Sequence, residues 1–530
     1  MISFEAVAGG PGSPGGLARL VTEVAADVLV LPWYAAADTA AAGPADQVAG
    51  AAGPPEPGPA AVEVSAALGL DLAAALARRG FSGAAGETFS TLTLGRLAAP
   101  AVLCLGLGPR AQAGPGAIRQ AALLAGPVIA GYGRAAVVLP AAGSAEPARE
   151  LAAALAEGLE LAAYSFGRYR RAPSWRPTAL AEVLVLASDG PPPGGLDAIA
   201  AGLRRGAGVA RLANWVRDLV NASPADSTPE LMAQQARAMA ADQGLDIRVL
   251  GGQELRAGGF GGILGVGQGS RHEPRLVELS YRGGDGPVIG LTGKGITFDS
   301  GGLTLKRTAE IEWMKSDMAG AATIMAVLRG AAQAGLPVNI DAALPFAENM
   351  PGGSAQRPGD VLTHRGGVTS EIRDTDSEGR LVVADALAYL AERDPAVLID
   401  VATLTDAAGL GPGLWAVLGT DEGLAAGLVA SGLAAGDPGW ALPLPPAYRR
   451  YLDSTVADIR NTPSEGEDTT VMAAMYLREF TSGVPWAHID NGSTAFLEHQ
   501  ADGWPEGATG SPLRALLHWI EFLAPEWLDR

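Results

Sequence analysis

Short runs of consecutive apolar residues recur through the first two hundred positions: DVLVLPWY at 27–34, AVLCLGLG at 101–108, AAVVLP at 135–140 and EVLVLAS at 182–188. Such runs, bounded by Gly, Pro or polar residues, predict short strands buried on both faces. Between them IRQAALLAG and ARELAAALAEGLELAAYS carry helical spacing. Strands alternating with helices predict an α/β domain. One segment breaks the pattern. Residues 35–61, AAADTAAAGPADQVAGAAGPPEPGPAA, hold too few large apolar side chains to fold alone and read as a mobile insertion.

The Pro/Gly run DGPPPGG at 189–195 marks a boundary. It predicts an N-terminal α/β domain over 1–192, a linking helix over 193–219 running from about Leu196 to Leu219, and a larger domain over 220–530. In the larger domain DIRVL, RLVELSY, PVIGLT, NIDAALP and AVLIDVATL alternate with helical patterns at MAGAATIMAVLRGAAQAG and RLVVADALAYLAE. A mixed, mostly parallel sheet covered by helices is the architecture expected.

Chemistry concentrates between Lys294 and Arg380. TGKGITFDSGGLTLK supplies Lys294, Asp299 and Lys306, WMKSDMAG supplies Asp317, and RDTDSEGRL supplies Asp374, Asp376, Glu378 and Arg380. Asp376 and Glu378, two apart, send their carboxylates to one side of an extended or turning segment. Clustered carboxylates repel one another, and two divalent cations would balance them. Such a pair of ions can share and activate a water, the scheme of two-metal hydrolysis. Oxygen-rich ligands suit Mn, Mg or Zn. The ordinary alternative is a solvated glycine-rich surface loop, but these polar runs sit between apolar elements, where α/β enzymes keep their sites.

Two other motif readings fail. GLTGKG lacks the first glycine of a phosphate-binding loop and has Gly295 where Ser or Thr should follow Lys294. His272 and Glu273 in RHEPRL lack a second histidine at zincin spacing, and five scattered histidines argue against a histidine-based metal site. His488 reads as a packing residue. The single cysteine, Cys104, excludes an intramolecular disulfide and is expected in a buried strand. A net charge of −19 opposes non-specific nucleic-acid binding. The absence of a basic N-terminal segment ahead of an apolar run, or of a long apolar stretch, predicts neither secretion nor a membrane span and makes the cytoplasm the default.

The runs GKGITFDSGG, KSDMAGAAT and DTDSEGRL resemble the signature segments of the leucyl aminopeptidase family, the M17 cytosolic aminopeptidases. The resemblance extends over about 200–530, through DLVNASPADSTPE at 218–230, LIDVATLTDA at 398–407 and PWAHIDNGSTAF at 485–496, and is weaker before 190. It implies a homohexameric aminopeptidase acting on peptides with a free N-terminus, with two divalent ions per subunit, Mn or Zn before Mg or Co. Lys294, Asp299, Asp317 and Glu378 would hold the tighter ion. Asp299, Asp376 and Glu378 would hold the exchangeable one, to which the substrate's free α-amine would bind. Lys306 would stabilise the oxyanion, and Arg380 would hold a bicarbonate that shuttles the proton. Met314, Thr403, Leu404 and Asp406 would line the pocket for the N-terminal side chain. A catalytically idle, DNA-binding or structural member of the same fold is the alternative, disfavoured by the complete site and the acidic balance.

The sequence departs from the family pattern at three places. Asp374 stands where Asn is common and is expected to add a carboxylate beside the metals, with no effect if it faces solvent. Asp406 replaces the glycine of ATLTG and is expected to weaken a preference for leucine. Asn491-Gly492 replaces Ile-Ala.

Overall fold

The computed structural model describes residues 1–8, 16–36, 54–171, 178–187, 194–405, 410–411, 413–501 and 503–528. They form two compact units, Met1–Arg211 with Ala501–Trp504, and Leu212–Gln500 with Pro505–Arg530. The division falls within the helix Gly195–Asn221. Among the described residues no single helix is long and apolar enough to cross a membrane.

In the first unit β1 (Ser3–Val7), β2 (Val28–Ala35), β3 (Glu56–Pro57), β4 (Thr88–Leu92), β5 (Ala101–Pro109), β6 (Arg134–Leu139) and β7 (Glu182–Ala187) share one sheet. Its order is β1-β7-β6-β2-β5-β4, with β3 added to β2. β4 and β3 run antiparallel to their neighbours, the others parallel. Alternate residues feed opposite cores: Val28, Val30, Leu103, Leu105, Val183 and Val185 on one face, Leu29, Leu31, Val102, Cys104, Leu184 and Leu186 on the other. Two buried faces explain why these strands read as unbroken apolar runs rather than alternating ones. Burial pushes the Cys104 thiol up to about 12, which makes it inert.

The expectation of an insertion over 35–61 needs correction at its end. Residues 37–53 lie outside the described residues. Glu56–Pro57, however, pairs with Trp33 and Tyr34, and the helix Pro59–Leu68 buries Ala60 and Ala61. Small alanines pack where larger side chains would not fit, so scarcity of large apolar residues did not mean absence of structure.

The second unit contains β8 (Asp246–Leu250), β9 (Arg275–Arg282), β10 (Val288–Gly293), β11 (Gly295–Asp299), β12 (Asn339–Asn349), β13 (Val361–Thr363), β14 (Thr369–Glu371), β15 (Val397–Ala402), β16 (Trp415–Gly419), β17 (Gly439–Ala441), β18 (Ile459–Arg460) and β19 (Trp486–Asp490). Its main sheet runs β17-β16-β19-β15-β10-β12-β9-β8, with β11 beside β12. The centre, β12-β10-β15-β19, is parallel, while β9 and β16 enter antiparallel on either side. The helices Ala319–Ala334 and Gly379–Ala391 are nearly all buried residues, as crossover helices of a parallel sheet must be. A small sheet of β13, β14 and β18 stands apart.

Candidate metal centre

Parallel sheets place ligand-binding residues beyond the carboxyl ends of their strands. Lys294 immediately follows β10, Asp299 ends β11, Asn349 ends β12 and Thr403 follows β15. Asp317 closes a 3₁₀ turn, Met314–Ser316, just before the helix Ala319–Ala334. Glu378 caps the helix Gly379–Ala391, whose positive N-terminal end faces the acidic cluster. A Cβ on Gly379 would lie 2.5 Å from Lys294 Cε, so glycine is what lets the lysine pass this helix end.

The side chains converge closely. Lys294 Nζ lies 2.8 Å from Asp317 Oδ1 and 2.8 Å from Glu378 Oε1, and donates to the Thr403 carbonyl at 3.0 Å. Lys306 Nζ lies 3.0 Å from Asp299 Oδ2 and 2.6 Å from Asp376 Oδ1. Asp299, Asp376 and Glu378 each present an oxygen within 4.8 Å of the other two. Asn349 Nδ2 and the Gly301 amide both donate to Asp299 Oδ1, at 2.8 and 2.9 Å, and the Thr403 hydroxyl donates to Asp317 Oδ1 at 2.7 Å.

Four carboxylates against two ammoniums leave the cluster short of positive charge. Burial, then the charges of Asp299 and Glu378, push the Asp376 carboxyl up to about 7. Burial likewise holds Asp317 well above the usual carboxylate range, and Glu378 rises through burial and Asp299. Both lysines are held above their ordinary value: burial opposes this, but the adjacent carboxylates outweigh it. Asp317 Oδ2 and Glu378 Oε2 are buried without a hydrogen-bond donor among the described residues. Oxygens so placed, among carboxylates that resist ionising together, fit hard divalent cations.

Arg380 is 2% exposed, and its guanidinium is engaged on two sides. Nη1 donates to the Asn461 carbonyl at 2.6 Å and to Asp468 Oδ1 at 2.9 Å, while Nη2 donates to Asp468 Oδ2 at 2.7 Å. The Ser377 hydroxyl adds a third bond to that carboxylate, at 3.1 Å. The fork expected to hold bicarbonate is therefore closed by a side chain of the chain itself. Asp374 Oδ1 accepts the Asp376 amide at 2.9 Å, so this carboxylate braces the loop backbone.

The model of the cytosol aminopeptidase family catalytic domain matches residues 214–517, and that of its N-terminal domain matches 50–173. The chain belongs to the cytosol aminopeptidase family. A probable cytosol aminopeptidase of Streptomyces coelicolor is 41% identical over 496 residues, 90% of this chain and 95% of that relative. The solved bottromycin maturation enzyme BotP in complex with Mn is 36% identical, with a TM-score of 0.78, and covers 94% of this chain and 100% of that one. A tomato leucine aminopeptidase mutant superposes with a TM-score of 0.82 at 25% identity, covering 98% of this chain and 96% of that one. This M17 chain is thus a metallo-aminopeptidase, a hydrolase acting on peptides.

The sequence of this aminopeptidase carries one more signal of its site. Of 38 Lys and Arg residues only three are lysine, at 294, 306 and 315, all within or beside the centre. Arginine serves everywhere else, but a guanidinium cannot give up its proton to ligate a metal and a compact ammonium can. The pocket expectations divide. Thr403 binds Lys294 and Asp317, Met314 is half-buried in the turn before Asp317, and Leu404 packs against the apolar core. Asp406 lies outside the described residues.

Gly492 has a physical reason that its sequence did not reveal. A Cβ there would lie 1.8 Å from the Thr405 carbonyl oxygen, so the alanine common in the family cannot be seated against this strand end. Gly492→Ala is expected to cost about 1–3 kcal/mol by overpacking and to displace the Thr405 backbone, weakening metal binding if the shift reaches Thr403. Thermal unfolding together with metal titration would check both effects.

His488 is fully buried, 2.6 Å through Nδ1 from Asp400 Oδ1, with Asp490 Oδ2 4.0 Å from Nε2. Burial would lower its pKa, but Asp400 and then Asp490 outweigh burial and push it up from 6.5 to about 9. A raised histidine stabilises the fold fully below the unfolded value, and the contribution is lost as pH rises towards 9. Metal-free protein is expected to lose a few kcal/mol across that window in urea unfolding, a decline that His488→Gln should flatten.

Proposed function

We propose that the chain removes N-terminal residues from peptides at a centre of two divalent ions, with Lys294, Asp299, Asp317 and Glu378 around the tighter ion and Asp299, Asp376 and Glu378 around the exchangeable one. The observation that carries this reading is the pair of buried, donorless oxygens, Asp317 Oδ2 and Glu378 Oε2, inside a cluster of carboxylates with raised pKa values. Bound there, divalent ions would supply a water of lowered pKa and polarise the scissile carbonyl. Manganese or zinc suits these donors, with magnesium or cobalt as weaker alternatives.

The chain's own residues do the remaining work. Lys294 reaches the ligand position only as the neutral amine, so its proton must leave when an ion enters. Thr403 fixes Asp317 and Asn349 fixes Asp299, which sets the bite of the two arms. Lys306 keeps its proton, because Asp299 and Asp376 favour the ammonium, and can donate to an oxyanion developing on the substrate carbonyl. The substrate's free α-amine belongs on the Asp376 side, which selects chain ends. No step is assigned to bicarbonate, since both Nη groups of Arg380 already face Asp468.

Met314, Thr403, Leu404 and Asp406 form the proposed boundary of the pocket for the N-terminal side chain. A carboxylate at 406 favours basic or small residues over leucine. Homohexameric assembly and a cytoplasmic location complete the reading. Hydrolysis of Leu-, Met-, Arg- and Lys-p-nitroanilides, each free or N-acetylated, tests it. Cleavage confined to free amines is expected; cleavage of acetylated substrates at comparable rates would sink the exopeptidase reading, and a strong preference for Leu would sink the role given to Asp406.

A further inference from the structure

The Nη1–Nη2 fork of Arg380 is not open to a bicarbonate ion. A planar guanidinium offers two edges of paired N–H groups to an oxyanion, and here the Nη1–Nη2 edge is taken, with Nη1 and Nη2 2.9 and 2.7 Å from the two oxygens of Asp468. The remaining Nη1 direction is taken by the Asn461 carbonyl, while Nε, on the other edge, is buried and has no acceptor among the described residues. An incoming anion would have to displace a carboxylate tethered to the same chain, whose local concentration exceeds that of a dissolved ion. It would also meet that carboxylate's like charge.

We propose that Asp468 is the built-in anion of this centre, occupying the fork of Arg380 in place of bicarbonate, so that this aminopeptidase turns over without the exogenous ion. Asp468 acts as a positioning residue. Its carboxylate neutralises an arginine that is 2% exposed, and it accepts the Ser377 hydroxyl from the residue lying between Asp376 and Glu378. Asn461 completes the clamp, donating through Nδ2 to the Asp374 carbonyl at 2.6 Å while its own carbonyl receives Arg380. The segment carrying Asn461 and Asp468 is thus fastened to the loop that presents the metal-facing carboxylates. The inference rests on the proposed placement of Arg380 beside a working metal centre.

The test uses full-length, Mn-loaded protein in carbonate-depleted buffer, with an aminoacyl p-nitroanilide as substrate and ¹³C-bicarbonate as the binding probe. Wild-type kcat/KM is expected to be unchanged by added bicarbonate, and the ¹³C line is expected not to broaden in its presence. Asp468→Ala opens the fork: its kcat/KM should fall about tenfold or more, recover with bicarbonate, and broaden the ¹³C line. Asp468→Asn keeps the shape and should lose activity as well, which guards against a folding artefact in the alanine variant. Saturable activation of wild type by bicarbonate would overturn the proposal, as would wild-type rates in both variants. If no metal restores peptidase activity to wild type, the functional reading fails. The ¹³C arm still decides the fork, supporting the proposal if the line broadens for Asp468→Ala alone and overturning it otherwise.

Discussion

Glu378→Gln is expected to lower kcat/KM roughly a thousandfold while raising the stability of the metal-free protein. The two effects share one cause. Glu378 is fully buried, one oxygen lies 2.8 Å from Lys294 and the other has no donor. Burial and Asp299 raise its pKa, so ionising this carboxyl costs the metal-free fold stability. Glutamine removes that cost but also removes the group proposed to bridge two cations. Lys294 keeps Asp317 as a partner at 2.8 Å, so the variant has no reason to misfold. Added Mn should raise the unfolding temperature of wild type by mass action and leave that of the variant almost unmoved. Calorimetry of both proteins, with and without metal, checks the opposite signs; a less stable metal-free variant would contradict them.

Lys306→Ala is expected to lower kcat by about a hundredfold to a thousandfold with metal content retained. Lys306 lies 3.0 Å from Asp299 and 2.6 Å from Asp376, and the charges of Asp299, Glu378 and Asp376 hold it protonated against burial. Its loss frees two carboxylates for cations, so metal affinity should hold or increase. The proposed donor to the oxyanion disappears, and that loss is expected in kcat rather than KM. Lys306→Arg should not restore activity, because a planar fork cannot take the place of a compact ammonium between two carboxylates. Metal analysis beside steady-state kinetics separates this variant from Glu378→Gln. Loss of bound metal would assign Lys306 a structural role instead.

Much of the fold was legible because the sheets are buried on both faces. β2, β5, β6 and β7 in the first unit, and β10, β12 and β15 in the second, are apolar runs for that reason. β1 was missed because it lies at the sheet edge, where SFEAV is only partly buried and its apolar signal is diluted. β11 was hidden for another reason: GITFD lies in a glycine-rich run that reads as a loop. The cluster of Lys294, Asp299, Asp317, Asp376 and Glu378 could be read because its members occur in compact motifs that the strand ends bring together. Asp468 could not. It is one acidic residue in PSEGEDTT, 88 positions from Arg380, and only the fold sets it on the guanidinium. The Asp374 carboxylate likewise needed the structure, since type and position do not tell whether a side chain faces a cation or its own backbone.

The most direct test of the two-metal reading is a stoichiometric titration of Mn into metal-stripped protein, with occupancy and hydrolysis of a free aminoacyl p-nitroanilide followed together. Two ions per chain, with activity appearing as the second site fills and neither seen in Glu378→Gln, is the expected result. Full activity without metal, or equal metal binding and activity in Glu378→Gln, would contradict it.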